Sequence, residues 1–450
     1  MKNGFSQVGV ILFLAVTLSG SARAQTDPSL KNLITRLDQV EAENRKLVDE
    51  IHALREELAN YTSTTPTAQP AQQQEERLAV EESRTAELAQ TKVEASQKMP
   101  VSLTGMLLFN AFTNGRNSAG QEYPLIAGSA GSAVSGASVQ QTILGLKFDG
   151  PSLPGNGKAS GSIYMDFFQD SAYGYNSAFH IRTAKVDLTW GDTTVTVGQD
   201  KPIIAPRDPD SLAQVGVPPL SASGNLWDWQ PQARIEHRFR FDEGSFGVIA
   251  QAGVYETAES DISNPASVLY GLEQARPGYE TRIELYKQWD KRRIEIAPGY
   301  HASDTHVLET TVPSRIWSLD WLVRPFQEVE ITGAAFDGRN TSPLGSLGQG
   351  FTLLPSGVLA DVRAVGGWTQ VAFFPTSRMS FHLYGGEEND RAADLLTGGI
   401  TRNVTYAGNV MYRLAPNIIS AFELSQTRTT YLWQGTRLNN HYDLALGYLF

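Results

Sequence analysis

From Val101 to Phe450, apolar and polar side chains alternate in short runs with a period of two, the signature of strands with two unlike faces. Ala233, Ile235, His237, Phe239 and Phe241 interleave with Arg234, Glu236, Arg238 and Arg240. Tyr279, Thr281, Ile283 and Leu285 interleave with Glu280, Arg282, Glu284 and Tyr286. Trp317, Leu319, Trp321 and Val323 share one face. The last run sets Tyr442, Leu444, Leu446, Tyr448 and Phe450 against His441, Asp443, Ala445, Gly447 and Leu449, so the chain ends on an aromatic. A terminal strand of this kind reads as the closing strand of an outer-membrane barrel, with Tyr448 and Phe450 as its assembly signal.

Turn residues divide the region into strands. Short connections fall at 149–157, 191–193, 242–245, 290–291, 325–327, 375–377 and 415–417. Longer ones, rich in Gly, Ser, Asn and Pro, fall at 114–137, 170–177, 200–224, 257–276, 302–314, 338–360, 387–399 and 429–438. The two kinds alternate strictly, which predicts an all-β transmembrane barrel of sixteen antiparallel strands. The chain would enter and leave on the short-turn side, which in such barrels faces the periplasm. Trp190, Phe241, Trp289, Phe326, Phe374 and Tyr412 stand beside the turns, where an interfacial girdle belongs. A soluble sandwich or propeller could alternate too, but no blade-length repeat is present and a soluble sheet needs no girdle.

The first hundred residues have another texture. Residues 1–24 read as a signal peptide: Lys2, an apolar core from Val8 to Leu18, and Ala22-Arg23-Ala24 as a cleavage site. Residues 29–60 carry a heptad with Leu30, Leu37, Asn44, Ile51 and Leu58 at a and Leu33, Val40, Leu47 and Leu54 at d. Arg36 with Glu41 and Glu50 with Arg55 suit a parallel N-terminal coiled coil, here expected in the periplasm. Asn44 fixes register, and the seam alone does not choose between two and three chains. The alternative is one amphipathic helix packed on its own domain, but the polar stretch that follows offers little to pack on. Residues 61–100 are a polar linker with helix-forming composition from Glu75 to Lys98, so the barrel domain spans 101–450.

Composition narrows the functions open to such a chain. Its 450 residues carry a net charge of -11 and no Cys. The acidic balance argues against nucleic-acid partners. The lack of Cys removes thiolate metal sites, Cys nucleophiles and disulfides. No apolar run after residue 24 approaches the ~20 residues of a membrane helix, so a membrane-spanning fold must be a barrel. No nucleophile elbow, phosphate-binding loop or His-Glu-x-x-His motif is present, and neither an enzyme nor a cofactor is expected. His301, Asp304 and His306 share one stretch that could ligate a metal, but chance clustering is the simpler account.

A sixteen-strand lumen leaves room for water and small solutes. Parity turns Arg234, Arg238, Arg240, Arg282, Arg293, Arg324 and Arg363 inward, together with Asp166, Asp187, Glu236, Glu280, Glu284, Glu295, Asp320, Glu330, Glu423 and Asp443. Three Arg on one strand make a basic strip that would focus anions, unless Glu236, Glu280 and Glu284 pair with them. The third long connection, 200–224, is Pro-stiffened and unusually apolar for a surface loop. Folded inward, it would bring Lys201, Arg207, Asp208 and Asp210 to a constriction; folded outward, it would serve subunit packing.

The chain resembles the DcaP-like trimeric outer-membrane porins. The resemblance rests on the seam from Leu30 to Leu58, on Gly198-Gln199-Asp200 with the loop after it, on Trp227 to Arg234, and on Tyr448-Leu449-Phe450. It implies a homotrimer of sixteen-stranded barrels in outer-membrane lipid, inserted by the barrel-assembly machinery. It also implies passive uptake of small hydrophilic solutes, often anionic and dicarboxylate-like. Phosphate-selective porins are the neighbouring expectation, and a tether between outer membrane and cell wall is the structural one.

Overall fold

The structure is a computed structural model that describes Ala53 and residues 101–128, 131–168, 179–257, 272–273 and 277–450. The expected signal peptide, linker and, Ala53 apart, coiled coil lie outside the described residues. Sixteen long strands follow one another. They are β1 (Val101–Asn114), β2 (Ile143–Leu153), β3 (Gly157–Asp166), β4 (His180–Trp190), β5 (Thr193–Asp200), β6 (Gln230–Phe241), β7 (Phe246–Glu256) and β8 (Pro277–Trp289). Then come β9 (Arg292–Val307), β10 (Thr310–Phe326), β11 (Val329–Arg339), β12 (Arg363–Thr376), β13 (Met379–Asp390), β14 (Ile400–Ala415), β15 (Ile418–Tyr431) and β16 (Gly435–Leu449).

Each strand pairs antiparallel with the next, and β16 returns to β1 in a register running from Met106↔Leu449 to Asn114↔His441. The barrel is therefore closed and presents no free edge, the condition for placing strands in lipid. Phe450 completes the seam: Gly105 N donates to its carbonyl at 3.0 Å and its own N donates to Gly105 O at 3.2 Å. Gly105 is required there, because a Cβ would meet Ile143 O at 2.3 Å and φ is +157°.

The alternation of faces is inverted relative to a soluble sheet. On β8, Tyr279, Ile283 and Leu285 are exposed while Glu280, Arg282 and Glu284 are buried. Trp317 and Leu319 point outward on β10, whereas Asp320 is fully buried. Phe241, Trp289, Phe326, Tyr412 and Tyr448 are exposed near the short turns. Such a wall is greasy outside and polar within, so its apolar face has lipid as its natural solvent.

The strand count matches the expectation, but two connections do not. The stretches 302–314 and 429–438 are not long loops. Strands β9 and β10 run on to a turn at Leu308-Glu309, and β15 and β16 meet across 432–434. Two other readings also change. Arg363 faces outward, paired with Asp337 at 3.9 Å, because a bulge between Phe373 and Thr376 shifts parity along β12. His301 is buried on the inner face of β9, whereas Asp304 reaches outward to Arg315 and His306 lies on Asp304's face of the strand, so the three form no common site.

Candidate functional site

The site is the lumen and the loop that crosses it. Residues 201–229, joining β5 to β6, turn inward. Ile203, Ile204 and Ala205 are buried, and Ile204 and Ala205 pack with Leu226, Tyr255, Ile316 and Phe336. Pro202, Pro206 and Pro209 supply no backbone donors, so the sequence limits what the buried loop must satisfy. Glu280 accepts from Ile203 N at 2.5 Å. Farther along, Asn409 donates to Asp210 O at 2.8 Å, Asn110 to Leu212 O at 2.8 Å, and Gln141 to Ala213 O at 2.8 Å. Arg182 of β4 reaches Val215 O at 2.5 Å. Asn403 then holds Ala222 O at 2.7 Å. In order, the loop touches β8, β14, β1, β4 and β14 again, a circuit of the inner wall. Gly224 closes it with φ +94°, where a Cβ would meet Gly367 N at 2.4 Å.

Charged side chains fasten this loop. Arg207 Nε donates to Asp320 at 2.8 Å, and its guanidinium also meets Glu295 and, at 3.6 Å, Glu284. Arg282 meets Asp320 and Glu284 at 2.7 Å each. Arg293 pairs with Glu295. Within this cluster cations and carboxylates balance one for one, so the pairs offset each other's desolvation. Lys201 pairs with Asp208, which also accepts from Asn225 at 3.0 Å. Asp210 is more than half exposed, with His382 at 3.4 Å and Gln370 at 2.6 Å.

The basic strip on β6 is partnered. Arg234 and Lys185 share Asp200 at 2.8 and 2.7 Å, Arg238 lies 3.7 Å from Glu236, and Arg240 holds Asp192 at 2.6 Å beside a turn. Arg240 therefore stands apart from the loop residues, while Arg207 and Arg282 converge on one carboxylate. Asp187 of β4 stands on the same wall and accepts from the Thr196 hydroxyl at 2.5 Å, so cations and acids are interleaved there. Opposite in sequence order, Glu388, Glu423 and Asp443 on β13, β15 and β16 bond to hydroxyls and amides. Ser346 serves Glu388, while Tyr384, Ser211 and Asn409 serve Glu423 and Asn110 serves Asp443. No Lys or Arg ion pair reaches these three among the described residues. The β13–β16 wall thus carries acids held by neutral donors, whereas the β4–β6 wall mixes the two signs.

Sequence reasoning missed several members. Arg182 and Lys185 stand three apart, so strict parity sends them to opposite faces; a bulge opposite Tyr164 and Met165 turns both inward. Trp227 and Trp229, 5.3 Å apart, were noted only for resemblance; Arg182 lies 4.7 Å over the Trp229 ring. Between them, Asp228 is pushed by burial up to about 6. Nothing local in the sequence marks Gln141, whose carbonyl accepts from Gly216 N at 2.9 Å.

A closed sixteen-strand barrel with an inverted surface and a loop drawn into its lumen defines the architecture of an outer-membrane channel. The comparisons agree at the level of fold. The crystal structure of the outer membrane channel DcaP of Acinetobacter baumannii is similar, with a TM-score of 0.66 and 14% identity over 79% of this chain and 98% of that one. The anion-selective porin from Comamonas acidovorans is similar with a TM-score of 0.53 and 13% identity, over 78% of this chain and 100% of that one. No protein-family model and no curated protein matches the sequence. The resemblance to DcaP-like porins is thus one of shared fold.

Proposed function

We propose that the protein is an outer-membrane porin through which small hydrophilic solutes diffuse passively, with preference for anions. The observation that carries this reading is the inward loop. It narrows a closed, polar-lined barrel and is pinned by Arg207 to the wall at Asp320. Passage would be set by size at that constriction and by the field between the β4–β6 cations and the acids of β13–β16. Lys185, Lys201, Arg234 and Arg238, with Asp208 and Asp210, are the side chains that solutes would meet; Arg207, Arg282 and Arg293 would hold the loop and the wall. The anion-selective porin of similar fold supports the charge preference.

In this reading the heptad of 29–60 assembles three chains on the periplasmic side, and the barrel-assembly machinery reads the terminal strand through Tyr448 and Phe450. Reconstitution into planar bilayers tests the function. Stepwise conductance in threes, with reversal potentials on the anion side, is the expected result. A silent bilayer with correctly folded protein would favour the cell-wall tether.

A further inference from the structure

A second charged site adjoins the pinned cluster through Arg293 and opens on the short-turn side of the barrel. The turns β8–β9 and β10–β11 enclose a cavity of about 280 Å³ lined by Gln288, Lys291, Arg292, Arg293, Arg324 and Gln327. The lining holds four cations and no carboxylate. Asp290 and Glu328 belong to the same turns but lie outside it. Within three residues of the other short turns, 154–156, 191–192, 242–245, 377–378 and 416–417, cations stand singly, as Lys158, Arg240, Arg378 and Arg413. In a chain of net charge -11 this concentration calls for a physical reason.

The strand register sharpens the question. Arg293 and Arg324 are direct cross-strand partners on β9 and β10, and like charges placed opposite one another destabilise a sheet. Each has one acid, Glu295 and Glu330, and those carboxylates are largely buried. The two arginine side chains remain nearly half exposed, at 46% and 43%. Arg324 Nε is screened from solvent and meets no acceptor. Leaving such a charged donor unmade is costly. Lys291 Nζ donates to Gln327 Oε1 at 2.7 Å, which holds the two turns together around the cavity.

We propose that this cavity binds a small anion carrying two or more acidic oxygens, a phosphate or a carboxylate, between Arg293 and Arg324. Such an oxygen pair relieves the repulsion between the two guanidiniums by bonding to the parts of both side chains that face solvent. Gln288 and Gln327 add neutral donors at the rim. The site deepens the porin reading, on which its role as an exit station for anionic solutes rests. Binding itself does not need that role. The anion can come from a diffusing solute or from a phospholipid headgroup of the periplasmic leaflet.

The test uses full-length protein in neutral detergent and inorganic phosphate as probe, read by phosphorus NMR line broadening. Saturable broadening is expected. The double variant Arg293→Gln/Arg324→Gln should raise the midpoint about tenfold or more, the loss of charge-assisted bonds. Heat-modifiable gel mobility checks its folding. Arg293→Lys/Arg324→Lys preserves charge if the first variant fails to fold, and should weaken binding by less than the Gln pair does. Arg402→Gln, on the outward face, should leave the midpoint unchanged. Equal midpoints in wild type and both double variants overturn the site. Displacement of phosphate by phosphatidylglycerol supports it with a lipid headgroup as occupant; no displacement supports it with a free anion. Because the readout is binding, a silent bilayer would sink the porin reading and leave this result standing.

Discussion

Arg207 of the inward loop and Asp320 of β10 meet through Nε and Oδ1 at 2.8 Å, more than a hundred residues apart in sequence. Arg282 grips the same carboxylate through Nε at 2.7 Å and Nη2 at 2.8 Å. One acid therefore joins the loop to the wall. Asp320→Asn would leave two largely buried guanidiniums short of a countercharge, at a cost of about 3–5 kcal/mol. The expected outcome is a lower temperature for conversion of the folded to the unfolded band on heated gels. Arg207→Met removes one of the loop's two cations and leaves three largely buried carboxylates facing Arg282 and Arg293. It should also lower the conversion temperature, and it should raise single-channel conductance as the loop loosens. Conductance equal to wild type would mean that the loop is held by its other contacts.

Much of this architecture was legible because barrel strands obey a strict parity and because Gly, Pro and Asp mark most turns. Where the turns lack those residues, reading failed. Leu308 and Glu309 adopt φ of +48° and +62°, a left-handed turn built from residues that do not advertise it. Long strand extensions on the side opposite the short turns were accordingly read as loops. Arg363 was misassigned because parity counted from the turn ignores a bulge. The charge pairing was legible in part: Glu236 and Glu284 pair with Arg238 and Arg282 as expected, whereas Glu280 turns to His301 and Ile203 N. Arg207 reaches Glu295 and Asp320 only after the loop folds inward, and no local pattern encodes that long-range meeting.

The cations of β4–β6 should govern selectivity. Arg234 and Lys185 share Asp200, and Arg238, 43% exposed and 3.7 Å from Glu236, meets the water of the lumen, where salt screens it. Replacing Arg234 and Arg238 with Glu should shift the reversal potential in a salt gradient toward cations. The shift should shrink at high ionic strength, as the Debye length falls to about 3 Å at 1 M. Reversal potentials identical to wild type at low salt would refute a role for this wall.

Asp228 offers a pH dependence with a defined sign. Burial lifts its carboxyl to about 6 from an ordinary 3.8. A carboxyl raised on folding binds protons more readily in the native state. Its contribution to stability is complete below the ordinary value and fades as pH rises through about 6. Between pH 5 and pH 7 the lumen therefore gains negative charge at the Trp227–Trp229 segment. Anion preference should weaken across that interval, and Asp228→Asn should flatten the change. A wild-type profile without a step in this interval would contradict the assignment.

The coil proposed for 29–60 is separable from the barrel if assembly and folding are independent. Deleting those residues should lower the trimer fraction in native mass spectra while the heat-modifiable mobility of the barrel is retained. Loss of insertion altogether would show that the two segments fold as one unit.

The seam provides the last prediction. Strand β16 is joined to β1 by a ladder that ends at the backbone of Phe450, and the Phe450 ring stacks 6.5 Å from Tyr448. Removing Phe450 deletes two backbone bonds to Gly105 and half of that aromatic pair. Phe450→Ala keeps the bonds and removes only the ring. If the ring serves mainly in recognition by the assembly machinery, both variants should insert poorly in cells, whereas Phe450→Ala refolds into detergent like wild type. If it serves mainly in closure, the truncated chain should also fail to refold in detergent, with Phe450→Ala intermediate. Equal insertion in cells of wild type and both variants would remove the terminal aromatic from either role, leaving the ladder from Met106 to Asn114 as sufficient to close the barrel.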